Sequence, residues 1–119
     1  MDQRYQFGTS QGSFFWNISA MLPELDQYPI REFDAAALAA TNPFHGDEAY
    51  AMTTDLSLPL IVVELKPGFD KLIDGNHRLF KALALYRPTV RACYLTEAQH
   101  KKYIENFDEA AYQKIMSVL

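Results

Sequence analysis

Eight residues, Leu58 to Leu65 (LPLIVVEL), leave this chain few choices of architecture. The run is short, β-branched and apolar almost without a break, so it reads as a strand buried on both faces. Its surroundings follow in order. Lys66 to Asp70 (KPGFD) carries the Pro-Gly pair of a turn, and Lys71 to Ile73 returns as the second arm of a hairpin. Asn76 to Tyr86 then places Leu79, Ala82, Leu83 and Tyr86 at i, i+3, i+4 and i+7, the apolar stripe of a helix. Pro88 stops that helix, and Thr89 to Leu95 (TVRACYL) reads as a further strand. A strand buried on both faces needs cover on both. The expected fold is therefore α+β, a small mixed sheet with helices packed on it.

The flanks are read from local chemistry. Met1 to Ser13 is polar and contains glycine, and is expected to be a flexible tail. Phe14, Phe15, Trp16 and Ile18 form a dense apolar patch that suits core or docking packing better than a ligand platform. Ala20 to Leu25 suggests a short helical turn capped by Ser19, and Tyr28 to Phe33 alternates as a strand does. Asp34 is a good N-cap for a helix over Ala35 to Ala40, which Asn42 and Pro43 end. Thr41 to Ser57 reads as a loop covering a site, with a helical piece at Glu48 to Met52. Thr96 and Asp108 cap two further helices, the second over Glu109 to Val118 with Ala111, Tyr112, Ile115, Met116 and Leu119 inward. At 119 residues the chain is expected to form a single domain, residues 1–119.

Composition excludes several classes of function. Apolar residues make up 49%, which argues against disorder, and no apolar run reaches the length of a membrane span. The N-terminal residues lack the basic start and apolar centre of a signal peptide, so a cytoplasmic protein is expected. Cys93 is the only cysteine, which leaves no internal disulfide and no thiolate zinc site. His45, Asp47 and Glu48 lie close together but lack ligand spacing, so no metal site is expected. Net charge is −4, yet Leu60 to Arg91 holds six basic and three acidic residues, +3, against five and twelve elsewhere, −7. This asymmetry fits a local anion site better than a nucleic-acid or membrane surface.

The basic segment contains KLIDGNHRLFKA, Lys71 to Ala82. A glycine between strand and helix permits a tight reversal, and the first helical turn offers unsatisfied N–H donors and the positive end of the dipole. Gly75, Asn76, His77, Arg78 and Lys81 are the candidate ligand-binding residues: Asn76 as a cap, His77 as a switchable donor, Arg78 as a bidentate one, Lys81 one turn on. Asp74 is expected to face inward and hold His77 or Arg78. A purely structural role, with Asp74 and Asn76 capping, Gly75 turning, and His77 and Arg78 merely exposed, fits the same spacing.

The stretch Leu58 to Leu95 resembles the core of the ParB/sulfiredoxin-like superfamily: a proline-led strand, a hairpin, a [DG]-G-x-[HR]-R-x-x-A motif at a helix start, then a return strand. Asp74, Gly75, His77, Arg78 and Ala82 match the motif. The resemblance implies a nucleotide-phosphate loop, with ATP or CTP and Mg²⁺ as the expected ligands. Two departures narrow it. Asn76 stands where sulfiredoxins carry their catalytic cysteine, so that chemistry is not expected. Only two short helices follow the return strand, and the charge balance is acidic, so partition-type DNA binding is not expected either.

The expected function is thus a nucleotide- or phosphate-binding domain, with phosphotransfer or hydrolysis an open alternative. Asp74, His77, Glu32 and Asp34 are the candidates for acid–base work. A second reading is a non-catalytic interaction or accessory factor of mobile-element or phage type, whose partner surface is Phe14 to Trp16 with the 41–57 loop. A third, ParB-like nuclease activity, has no visible carboxylate pair for two metals.

Overall fold

In a computed structural model describing residues 2–119, the apolar run forms β4 (Leu60–Lys66), an inner strand on which both halves of the core meet. Ile61, Val63 and Leu65 enter one apolar cluster while Leu60 and Val62 enter another, so the unbroken run is explained by cover on both faces. The remaining strands of this sheet are β3 (Ile30–Asp34), β5 (Phe69–Asp74) and β6 (Thr89–Leu95), in the order β3-β6-β4-β5. β4 runs parallel to β6, and the outer pairs β3/β6 and β4/β5 are antiparallel. The fold is α+β with a mixed sheet.

One face is covered by α2 (Ala35–Thr41) and α4 (Asn76–Ala84), whose Ala35, Leu38, Leu79 and Ala82 pack on Val62, Leu72, Val90 and Ala92. The other is covered by α1 (Ile18–Met21), α5 (Glu97–Lys101), α6 (Glu109–Met116) and a second, two-stranded sheet of β1 (Arg4–Thr9) and β2 (Gly12–Asn17). Residues 4–9 are therefore a strand, paired from Arg4↔Asn17 to Thr9↔Gly12, and not the flexible tail expected of 1–13. Their own alternation, Tyr5 and Phe7 inward between Arg4, Gln6 and Gly8, carries this signal. Trp16 is 0% exposed at the centre of that face with the half-buried Phe14 packed against it, while Phe15 is half-buried outside this cluster.

Caps set by adjacent residues match the sequence. The Asp34 carboxylate accepts from the Ala37 amide at 2.7 Å, Asp108 from Ala111 at 2.8 Å, and Thr96 forms a reciprocal capping box with Gln99. Two expectations need correction. Asn17, not Ser19, caps α1, because its Oδ1 accepts from Ala20 N while the Ser19 hydroxyl is turned to the Gln3 amide. Helix α4 ends at Ala84, and Tyr86 is 93% exposed with φ +56°, outside the expected apolar stripe. Tyr86 N–H bonds Leu83 O (3.0 Å) and Arg87 N–H bonds Ala82 O (2.8 Å), the paired bonds that close a helix through one left-handed residue. Ala111 and Leu119 of the last helical segment are likewise exposed. Among the described residues no helix is long and apolar enough to cross a membrane.

Candidate functional site

The β5–α4 junction is built by two local devices. A register shift between Ile61 and Val62 leaves Ile73 unpaired in the β4/β5 ladder, and this bulge redirects the chain at Asp74. Gly75 then adopts φ +101°, a region that favours glycine, and also lies against β4. A Cβ there would fall 2.7 Å from Leu60 Cγ and 3.3 Å from Leu60 Cα, so both backbone conformation and space demand glycine. Gly75 is the N-cap residue of α4 and supplies no side chain. The first intrahelical bond runs from Leu79 N–H to Gly75 O at 2.9 Å, leaving the amides of Asn76, His77 and Arg78 without intrahelical acceptors.

This uncapped turn opens on a cleft of about 520 Å³ whose walls come from three parts of the chain. Gln3, Arg4 and Tyr5 at the start of the hairpin form one wall, Asn42, Pro43, His45 and Tyr50 from the stretch after α2 another, and Lys71 to Arg78 the floor. Here α3 is Glu48–Ala51, close to the helical piece expected inside the 41–57 loop. Asp74 is the single carboxylate among the lining residues, against Arg4, Lys71 and Arg78.

Each motif side chain has a definite partner. Arg78 Nη2 meets Asp74 Oδ2 at 2.8 Å, and its Nη1 donates to Pro59 O at 2.9 Å; both members of the pair are mostly buried. Asp74 thus faces inward to hold Arg78, and its other oxygen accepts from Gln3 Nε2 at 2.7 Å. Asn76 does not cap the helix: its Nδ2 donates to His45 O at 2.7 Å and fastens the loop to the helix start. The His77 ring lies edge-on to Phe44 and Tyr50, with centroids 5.6 and 5.0 Å away. Gly46, at φ +146°, closes over it so tightly that a Cβ would come 2.6 Å from His77 Nε2.

Gly75, Asn76, His77, Arg78 and Asp74 are therefore brought to one cleft, and Lys81 is not. Its Nζ donates to Thr54 O at 2.6 Å, tying α4 to the end of the loop. Glu32 lies on β3 opposite Arg91 and lines a separate hollow, away from Asp74. Asp34 is occupied as the cap of α2. Of the acid–base candidates only Asp74 and His77 share the cleft. Among the described residues no three His, Cys, Asp or Glu side chains are grouped to hold a metal ion. Cys93 is buried on the far face of the sheet, and burial pushes its thiol pKa up.

Lys71, Asn42 and Tyr50 were not legible as site residues. Asn42 is buried at the end of α2: its Oδ1 accepts from Leu72 N–H (3.2 Å) and Lys71 Nζ (3.1 Å), while its Nδ2 donates to Leu38 O (2.9 Å). It therefore closes the outer edge of β5 and places the lysine in one contact. Compared with known proteins, the chain matches no family model, no curated protein and no solved structure.

Proposed function

We propose that the cleft binds a phosphate-bearing small molecule. The observation that carries this reading is the uncapped first turn of α4, entered through Gly75 and opening into a cavity lined by three cations and one carboxylate. A volume of about 520 Å³ is within the range of small-molecule sites and accommodates more than a bare phosphate. The motif's resemblance to the ParB/sulfiredoxin-like superfamily favours a nucleoside phosphate, ATP or CTP, with Mg²⁺ carried on its phosphates.

In this reading the amides of Asn76, His77 and Arg78 face the phosphate, the hairpin and the Asn42–Tyr50 wall hold the rest of the ligand, and the Asp74–Arg78 pair keeps the helix start rigid. If transfer or hydrolysis follows binding, Asp74 is the carboxylate able to accept a proton from the attacking hydroxyl or water, after its Gln3 bond is released. His77 is the neighbouring group able to exchange a proton.

Calorimetry with ATP, CTP, GTP and their diphosphates, each with and without Mg²⁺, tests the proposal. Saturable heat from at least one of them is expected. No heat from any at millimolar concentration overturns it.

A further inference from the structure

Charge alone does not identify the group that meets an anion in this cleft, because most of its cations are already engaged. Arg4 is held by Glu105 through two contacts, Nε–Oε2 at 2.8 Å and Nη2–Oε1 at 2.6 Å. Arg78 is held by Asp74 and the Pro59 carbonyl. Moving either toward a ligand leaves a carboxylate behind without its partner, and for the mostly buried Asp74 that loss is large. Lys71 is different. Among the described residues its ammonium has no carboxylate within ion-pair distance; it rests 3.1 Å from the neutral Asn42 Oδ1 and 5.8 Å above the centre of the Tyr5 ring.

Its position is also fixed without consuming its charge. Asn42 is anchored at its other end to Leu38 O and shares its oxygen between Lys71 Nζ and the Leu72 amide, so the same contact that seals the β5 edge holds the ammonium in place at the cleft. A neutral acceptor leaves two of the three ammonium donors for a ligand. A half-buried, preoriented and uncompensated cation is the strongest single attraction the cavity offers an anion.

We infer that Lys71, outside the helix-start motif and held by Asn42, is the side chain that grips the phosphate in this cleft, with Arg78 serving to fix Asp74 and the Pro59 carbonyl at the entry to β4. The inference rests on the anion-site reading above and adds the group that decides affinity. The chemistry is that of a phosphate dianion, free or at the end of a nucleotide.

The test titrates pyrophosphate, ATP and CTP into the wild-type protein and into Lys71→Gln, Lys71→Arg and Lys66→Gln. Lys66 is the control of equal charge, since it lies outside the cleft with its Nζ on Leu119 O. Lys71→Gln is expected to weaken binding about tenfold or more, Lys71→Arg to recover most of it, and Lys66→Gln to change it little. Lysine side-chain NMR of the wild type provides a second readout that needs no variant: the Lys71 resonance should move most on addition of ligand. Response to pyrophosphate assigns the affinity to phosphate alone, and response only to ATP or CTP assigns it to the nucleotide; either supports Lys71 if the variants behave as stated. Wild-type binding that Lys71→Gln leaves unchanged, or a Lys71 resonance that does not move, overturns the role of Lys71 and spares the anion site. No binding by the wild type overturns both.

Discussion

His100 is 0% exposed and wired on both ring nitrogens, which makes the stability of this protein steeply pH-dependent in a predictable window. Trp16 Nε1, a donor only, gives its hydrogen to His100 Nδ1 at 3.0 Å, so the ring proton sits on Nε2 and is donated to Glu64 O at 2.8 Å. The Tyr112 hydroxyl lies beside Nε2 and donates to Leu65 O. Protonating Nδ1 would set two N–H groups against each other inside the core. Burial, the largest influence, lowers the His100 pKa from 6.5 to about 4; the Glu64 carbonyl and the nearby Glu97 oppose this, and Lys101 reinforces it. Above pH 6.5 both folded and unfolded chains hold a neutral imidazole and the full stability is present. As pH falls below 6.5 the unfolded chain takes up the proton first, so stability drops by about 1.4 kcal/mol per pH unit until about pH 4, a total of about 3 kcal/mol. Asp55 and Glu109 also titrate below their ordinary values in the folded state, but both are exposed, and what they contribute is lost only at lower pH.

Urea unfolding followed by the fluorescence of Trp16, the only tryptophan, measures this directly between pH 8 and pH 4. Wild-type stability should fall along the slope given, and His100→Gln, which keeps an acceptor for Trp16 but cannot titrate, should lose stability less steeply from pH 6.5 to 4.5. Parallel curves for the two proteins would refute the reasoning.

Gly75→Ala places a Cβ against Leu60 at a backbone conformation that L-residues rarely adopt, and should cost about 2–4 kcal/mol in chemical denaturation. Tyr86→Gly removes strain at the left-handed close of α4 without removing buried area, and should raise stability by about 1 kcal/mol and the melting temperature by a few degrees. Asn42→Ala strips the Leu72 amide and the Leu38 carbonyl of their side-chain partner in a buried place, and should cost about 2–4 kcal/mol; hydrogen exchange at Leu72 should accelerate.

By itself the sequence determined the elements whose causes are local. The β-branched run of β4, the Pro-Gly turn after it, the glycine at the head of α4 and the caps at Asp34, Thr96 and Asp108 are each settled by residues within a few positions, and each appears in the structure. The inward orientation of Asp74 was legible for the same reason, because its partner Arg78 is one helical turn away. Where a residue's partner is distant in sequence, nothing local announces it. Gln3, just before the hairpin, reaches Asp74, Asn42 selects Lys71 and Leu72 from the end of α2, and Lys81 is drawn off the cleft by a carbonyl at Thr54. Only the tertiary structure decided which cations remain uncompensated, since an ion pair depends on where two chains of atoms meet and not on the composition of the segment that supplies one of them. The basic stretch from Leu60 to Arg91 is thus a property of the sequence, and the seating of the Lys71 ammonium on Asn42, with no carboxylate partner among the described residues, is a property of the fold.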